Sequence, residues 1–386
     1  MVKYIVSWLQ MAIWKAMTRY DTQNSSVYVQ IAHGKQCTVA EKEIRLEDPR
    51  DEQIASNEVE TLEQRKHPNI VPLSASYTLT EMETETPVTT MHLIFPFANM
   101  DLEEWMTNPQ PPDCLQGLPR SERRDYLYRC IYALVSGLSF LHREQGGIIT
   151  AHHDLKPHNI LVFEQELKLA DLGRSHLRPS AEGSETENKL LGTYDYQPPE
   201  FWDDDGLHAP VKHGRMFDVW SMGCIIIELA TLIVYDWEGD KVIHFREKRQ
   251  KNPTKTRPKL LNLVRRQKGD KSFHNNWVVV KDWIRHLQVE DPHPKLKSAL
   301  NVALRMLDGN PSSRPFPGKL NWIYTTYKTL MTIKSLLDLH HPPIKFPMAH
   351  KHPCIELLRQ GTRQDLFNFL SSDGRCLCKT TTARQQ

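Results

Sequence analysis

The chain has 386 residues, 39% hydrophobic and 25% charged, with a formal net charge of +2. This composition belongs to folded globular proteins; it excludes a globally disordered polyelectrolyte, and the near-neutral balance exerts no overall pull toward nucleic acid. Seven cysteines, odd in number and scattered from Cys37 to Cys378, argue against a disulfide framework and for a reducing compartment, the cytoplasm or nucleus.

Residues 1–19 form an aromatic-rich extension. Tyr4, Ile5, Val6, Trp8, Leu9, Ile13 and Trp14 are interrupted by Ser7, Gln10 and Lys15, too broken a run for a signal sequence and suited to a helix packed on a domain. Alternation predicts strands over 27–31 and 37–42, joined through His33-Gly34-Lys35. No glycine precedes Gly34. Period-two geometry sets Ala40 and Lys42 on one face of the second strand, with Val39 and Glu41 on the other. A helix is predicted over 51–64, where Ile54, Glu58 and Leu62 recur at steps of four. A carboxylate on that apolar stripe needs a cation, and Lys42 is the candidate. Residues 91–98 read as a strand whose ladder Pro96 ends. Asp101 begins the next helix and suits its N-cap, and an amphipathic helix over 121–142 follows.

The densest chemistry lies in 152–173. His152-His153-Asp154-Leu155-Lys156-Pro157-His158-Asn159 precede a hairpin, 160–163 and 167–170, that folds Asp171-Leu172-Gly173 back toward Asp154 and Asn159. Two carboxylates, an amide and an ammonium then converge. Such a set suits phosphoryl transfer: one carboxylate accepts a hydroxyl proton, the second holds Mg²⁺ with the amide, and the ammonium balances the moving phosphoryl group. His152, His153 and His158 read as structural or solvated, because Mg²⁺ prefers oxygen. The apolar run 217–234 contains Asp218 and Glu228 and falls short of a bilayer span, so it reads as a helix buried on all sides and no membrane segment is predicted. Between Lys241 and Lys271 twelve Lys/Arg face only Glu247 and Asp270, a local charge of about +10 that reads as a solvated insertion and a candidate dock for an acidic partner. Helices are predicted over 276–287, 295–307 and 320–337, ahead of a Pro- and His-rich tail over 336–386.

As an ordered set over residues 20–335, these motifs resemble the eukaryotic-type protein kinases, with Asp171-Leu172-Gly173 standing for Asp-Phe-Gly and Val39-Ala40-Glu41-Lys42 for Val-Ala-Ile-Lys. The resemblance implies an α+β, bilobal fold: a small, mostly β lobe with one helix over 20–98, and a larger helical lobe over 99–335. It implies ATP and Mg²⁺ as cofactors. Asp154 would act on the acceptor hydroxyl, Lys156 on the transferring phosphoryl group, Asn159 and Asp171 on Mg²⁺, and Lys42, paired with Glu58, on the α/β-phosphates. Ala40, the Pro96 carbonyl and the Ala98 N–H would meet the adenine, and Asp101 the ribose. Gly192 to Glu200 resembles the end of an activation segment, where Thr193 faces the catalytic Asp and Lys in Ser/Thr kinases. Glu200 would pair with Arg314, and Asp218 would accept from the catalytic-loop backbone.

The implied activity is transfer of the ATP γ-phosphoryl group to Ser or Thr of a protein substrate; the alternative is a scaffold of the same fold without efficient nucleotide use. A small-molecule acceptor fits the 192–200 segment poorly. Two departures stand out. Tyr20, Thr22 and Ser25 occupy the positions of a Gly-rich loop, and His153 replaces the Arg that in the family pairs with a phosphorylated activation loop, leaving Ser175, Ser180, Ser184 and Thr186 as nominal phosphosites.

Overall fold

The computed structural model describes residues 20–22, 25–32, 35–83, 86–163, 166–179, 193–202, 214–251 and 270–315, all within the first of the two units into which the chain divides, Met1–Thr329. The expected extension 1–19, the helix over 320–337 and the tail 336–386 lie outside these residues. Strands β1 (Tyr20–Thr22), β2 (Ser25–Ala32), β3 (Lys35–Arg45), β4 (Ala75–Glu83) and β5 (Thr86–Pro96) form one antiparallel sheet in the order β1-β2-β3-β5-β4. β3 is central. Its ladder is filled by β2 on one side and β5 on the other, with Lys42 opposite both Ser25 and Leu93, which makes it a rigid mount. β5 ends at Pro96, which has no N–H to continue the ladder. β4 was not expected: it is an edge strand with Leu79 and Met82 exposed, so little of its surface is buried and its apolar alternation is weak.

Helix α1 (Pro49–Gln64) meets the sheet through Glu58 and Lys42 and starts two residues before the expected position. Asp48 is its cap, accepting from the N–H groups of Arg50 and Asp51 at 2.7 and 3.0 Å, while the Asp51 carboxylate accepts from the Asp48 N–H at 3.3 Å. This reciprocal box, with Pro49 in the first turn, satisfies donors a helix start otherwise leaves open. The buried stripe is Ala55, Glu58, Val59 and Leu62. Ile54 is 43% exposed, a correction to the expected stripe: uniform steps of four drift off a face that turns every 3.6 residues.

The larger lobe holds β6 (Met100–Asp101), α2 (Leu102–Thr107), α3 (Arg120–Leu141), β7 (Ile148–Ala151), β8 (Ile160–Phe163), β9 (Glu166–Leu169), β10 (His176–Pro179), α4 (Arg215–Tyr235), α5 (Lys241–Lys251), α6 (Trp277–Glu290) and α7 (Pro294–Met306). β6, β8 and β9 make one small sheet, β7 and β10 another. α4 is the axis of the core. It is long and apolar enough to cross a membrane, yet that stretch is wholly buried inside the lobe, which identifies it as a core helix. Gly223 lets α7 approach: a Cβ there would stand 3.0 Å from side-chain atoms of Met306 and Leu307.

A carboxylate in such a helix must be matched. Glu228 Oε1 accepts from Arg246 Nε at 2.9 Å and Arg249 Nη2 at 3.2 Å, and Oε2 accepts from Arg246 Nη2 and the Tyr196 hydroxyl, both at 2.9 Å. Arg246 Nη2 also donates to Glu103 of α2 at 2.8 Å. Two cations and two anions thus cancel inside the lobe. Burial alone would push the Glu228 carboxyl up, but Arg246 and Arg249 outweigh it and bring the pKa down to about 2. The finding corrects the reading of 241–271 as a solvated insertion, because its first eleven residues form α5, whose Arg246 and Arg249 point inward. Residues 252–269 lie outside the described residues.

Glu228 therefore adds stability that is complete above the unfolded carboxylate pKa of about 4.3 and is lost as pH falls toward its folded value. Glu228→Gln is expected to lose about 3–5 kcal/mol at pH 7, because the buried Arg249 guanidinium loses the anion it donates to and Arg246 keeps only Glu103. It should also flatten the pH dependence of urea unfolding below pH 5, where the parent protein weakens.

Candidate active site

Lys42 extends from the central strand on the face opposite Glu41. Its Nζ donates to Glu58 Oε1 and Oε2 at 3.0 and 2.8 Å and to Asp171 Oδ1 at 2.8 Å. Three elements meet at one nitrogen. Burial works against the ammonium, but the two carboxylates outweigh it and raise its pKa. Burial would likewise raise the Asp171 carboxyl, yet Lys42 prevails and holds it below its usual value. Gly173 lies against all three groups: a Cβ would meet Glu58 Oε2 at 2.9 Å and Asp171 Oδ1 and Lys42 Nζ at 3.4 Å each. Asp171 itself has left-handed backbone, φ 58° and ψ 67°, uncommon for a residue with a side chain and frequent where a site fixes a group's direction.

The second cluster forms around Asp154. Its Oδ1 accepts from the Thr193 hydroxyl at 3.2 Å; its Oδ2 accepts from Lys156 Nζ at 3.3 Å and Asn159 Nδ2 at 3.2 Å. Asn159 Nδ2 also donates to the Asp154 carbonyl at 2.8 Å. That commitment of the amide nitrogen leaves the Asn159 oxygen as the end suited to a cation. The clusters are joined through Ala170, whose N–H donates to the Asn159 carbonyl at 2.9 Å and whose carbonyl accepts from His152 Nε2, also at 2.9 Å. The His152 proton is thereby assigned to Nε2.

Beneath the loop, Asp218 accepts from the backbone N–H of His152 and of His153, each at 2.7 Å, and from His142 Nε2 at 2.6 Å. Capturing two successive N–H groups holds His153 at φ 65°. His142 is fully buried, and burial lowers its pKa, so it donates as a neutral imidazole. Burial would raise the Asp218 carboxyl; the hydrogen bond from His142 outweighs it and brings the pKa to about 2. Glu200 and Arg314 form a two-pronged pair at 2.6 Å on both prongs.

Of the remaining expected residues, Ala40 faces Phe95 across the β3–β5 ladder, and Pro96 and Ala98 are half-buried at the end of β5 and just past it. Asp101 Oδ1 caps α2, accepting from the Glu104 N–H at 2.9 Å, while Oδ2 lies 3.9 Å from His158 Nδ1. Glu41 turns away, accepting from the Tyr77 hydroxyl at 2.7 Å and lying 2.9 Å from His92 Nδ1. Sequence reasoning missed His142 and the Arg246 network. Glu228 inside an apolar run was the only available signal, and it could not name its partners.

The protein kinase domain, as a family model, matches residues 22–320. Cyclin-dependent kinase 17 of Caenorhabditis elegans is 29% identical over 217 residues, covering 55% of this chain and 28% of that protein. The chain therefore spans well under two thirds of that relative's length.

The packing at Gly173 is testable. Gly173→Ala is expected to cost about 1–3 kcal/mol in urea unfolding, since its methyl group must displace a buried carboxylate. Gly309→Ala, where a Cβ meets nothing within 4 Å, should stay within about 0.5 kcal/mol of the parent.

Proposed function

The chain belongs to the protein kinase family, and on that premise we propose that it transfers the γ-phosphoryl group of ATP to Ser or Thr hydroxyls of protein substrates. The observation that carries the proposal is the convergence of Asp154, Lys156 and Thr193 beside the Lys42–Glu58–Asp171 trio. Within this cluster Asp154 accepts from an aliphatic hydroxyl, and Thr193 marks where an acceptor hydroxyl can stand. In the proposed reaction the acceptor oxygen bonds to the γ-phosphorus, the bond to the β–γ bridging oxygen breaks, and the acceptor proton passes to Asp154. Lys156 offsets charge on the transferring group, and Lys42, fixed by Glu58, binds the α/β-phosphates.

The donor chemistry fits a hard divalent cation. Asp171 is 44% exposed at its side chain, the Asn159 oxygen is the uncommitted end of its amide, and the trio of Lys42, Glu58 and Asp171 carries one excess negative charge when both acids are ionised. Asn159 and Asp171 would hold Mg²⁺, which when bound neutralises triphosphate charge. Ala40, the Pro96 carbonyl and the Ala98 N–H are proposed for the adenine. For the ribose hydroxyls the proposal is Asp101 Oδ2, since Oδ1 serves the cap.

The cysteines Cys114, Cys130 and Cys224 form no disulfide among the described residues, in keeping with a proposed cytoplasmic or nuclear location. An acidic partner, if drawn by the basic run, would use cations of 252–271, because Arg246 and Arg249 are spent internally. Nucleic acid is not proposed. One feature favours a second reading, a scaffold of the same fold that uses nucleotide poorly: no glycine precedes Gly34 to bring backbone N–H groups close to phosphate.

Thermal unfolding with and without Mg-ATP, paired with a phosphoryl-transfer assay, separates the two readings. At about a hundredfold excess over Kd, Mg-ATP should stabilise the parent by about 2.7 kcal/mol. Asp171→Ala should abolish both shift and transfer. Asp154→Ala should keep the shift and lose transfer by about 100- to 10,000-fold. A parent with neither shift nor transfer leaves the scaffold reading standing.

A further inference from the structure

Arg65 is the C-cap that follows Gln64 of α1, where its N–H closes the helix on the Thr61 carbonyl at 2.8 Å. It is 1% exposed. Its guanidinium makes no ion pair with a carboxylate among the described residues; it donates to dipoles of the larger lobe instead. Nε reaches Thr150 Oγ1 at 3.1 Å, Nη1 the Arg143 carbonyl at 3.2 Å and Nη2 the Ile148 carbonyl at 2.9 Å. Burial lowers its pKa, but a guanidinium stays protonated. A cation buried on neutral acceptors is a costly way to fill space, since an apolar side chain of that volume packs without desolvating a charge. What the guanidinium adds is a rigid fork whose donors span three acceptors on two pieces of chain.

Those acceptors are close to the chemistry in sequence. The turn after α3 passes through Gly146 and Gly147 at φ 58° and 76°, conformations glycine adopts freely, and delivers the Ile148 carbonyl to Arg65. Thr150 is fully buried on β7, which runs directly into His152, His153 and Asp154. On α1, Arg65 follows Glu58 by seven residues, two helical turns or roughly 10 Å, on the same face. The helix is thus pinned twice along one stripe: Glu58 to Lys42 of the sheet, and Arg65 to the strand leading into the catalytic loop.

We propose that Arg65 is a positioning residue that fixes α1 against the larger lobe in the pose where Glu58 meets Lys42, so that the fold itself holds this helix, without a bound partner. The inference deepens the proposed kinase reading and rests on it for its effect on nucleotide.

Hydrogen exchange on the isolated, nucleotide-free full chain tests the physical part. Arg65→Leu is expected to speed exchange of the amides of residues 55–64 by about tenfold or more, leaving those of α4 unchanged; Thr150→Val should act in the same direction by less, and Arg65→Lys should recover part of the loss. Unchanged α1 amides, or α1 and α4 accelerating by the same factor, would overturn the proposal. Should Arg65→Leu not fold, Thr150→Val decides by the same readout.

Mg-ATP affinity in a double-mutant cycle tests the route of action. Arg65→Leu should weaken binding by about tenfold in the parent and by less than about twofold in a Glu58→Gln background. Equal losses in both backgrounds would overturn it. A parent that binds no Mg-ATP strikes the kinase reading, and the exchange measurement alone then decides on Arg65.

Discussion

One ammonium group ties the two lobes together. Lys42 enters from a strand whose ladder is filled on both sides, and the carboxylates it meets lie 16 and 129 positions away in sequence: Glu58 from α1, and Asp171 from the segment after β9. Among the described residues Lys42 is the cation paired with each carboxylate. Glu58 in particular is 1% exposed, and a lone charge there would cost several kcal/mol. The position of α1, the strained backbone of Asp171 and the absence of a side chain at residue 173 all follow from bringing these three groups within hydrogen-bond distance.

The larger lobe repeats the tactic at greater depth. α4 is apolar along almost its whole length, and its two carboxylates are each put to use. Asp218 faces the loop that carries Asp154 and captures two backbone N–H groups in succession; this fixes the chain direction just ahead of Asp154 more firmly than side-chain packing could, because main-chain donors cannot rotate away. Glu228 faces the other way, toward α5 and Tyr196. A single hydrophobic helix therefore references both the loop that carries Asp154 and the segment that carries Thr193 to one rigid body.

Much of this was legible in the sequence, for a physical reason: residues with chemical work to do are polar groups at fixed spacing, and spacing is visible in one dimension. Asp154, Lys156, Asn159 and Asp171 lie within eighteen positions, and the apolar hairpin between them dictates that they fold back on one another. Glu58 could be matched to Lys42 because a carboxylate on an apolar stripe demands a cation. The stripe itself was misjudged at Ile54, where a repeat of four outran the true turn. β4 was invisible because an exposed edge strand has little apolar alternation to show.

What stayed hidden were partners set by tertiary approach alone. Nothing in a run of twelve basic residues distinguishes Arg246 and Arg249, which turn inward, from neighbours that carry charge to solvent. Likewise His142 ends an amphipathic helix and looks like any capping residue until Asp218 arrives beside it. Arg65, at the end of a helix rich in charge, gave no hint that it would be sealed beneath the turn after α3.

The quartet of Glu103, Glu228, Arg246 and Arg249 has a bearing on how such a chain can drift. Any one substitution strands a charge in the interior, and reversing a single sign strands two, so neutral paths through this quarter of sequence space run only through paired exchanges or through wholesale replacement by hydrocarbon. The electroneutral knot thus behaves as one heritable character spread over three helices.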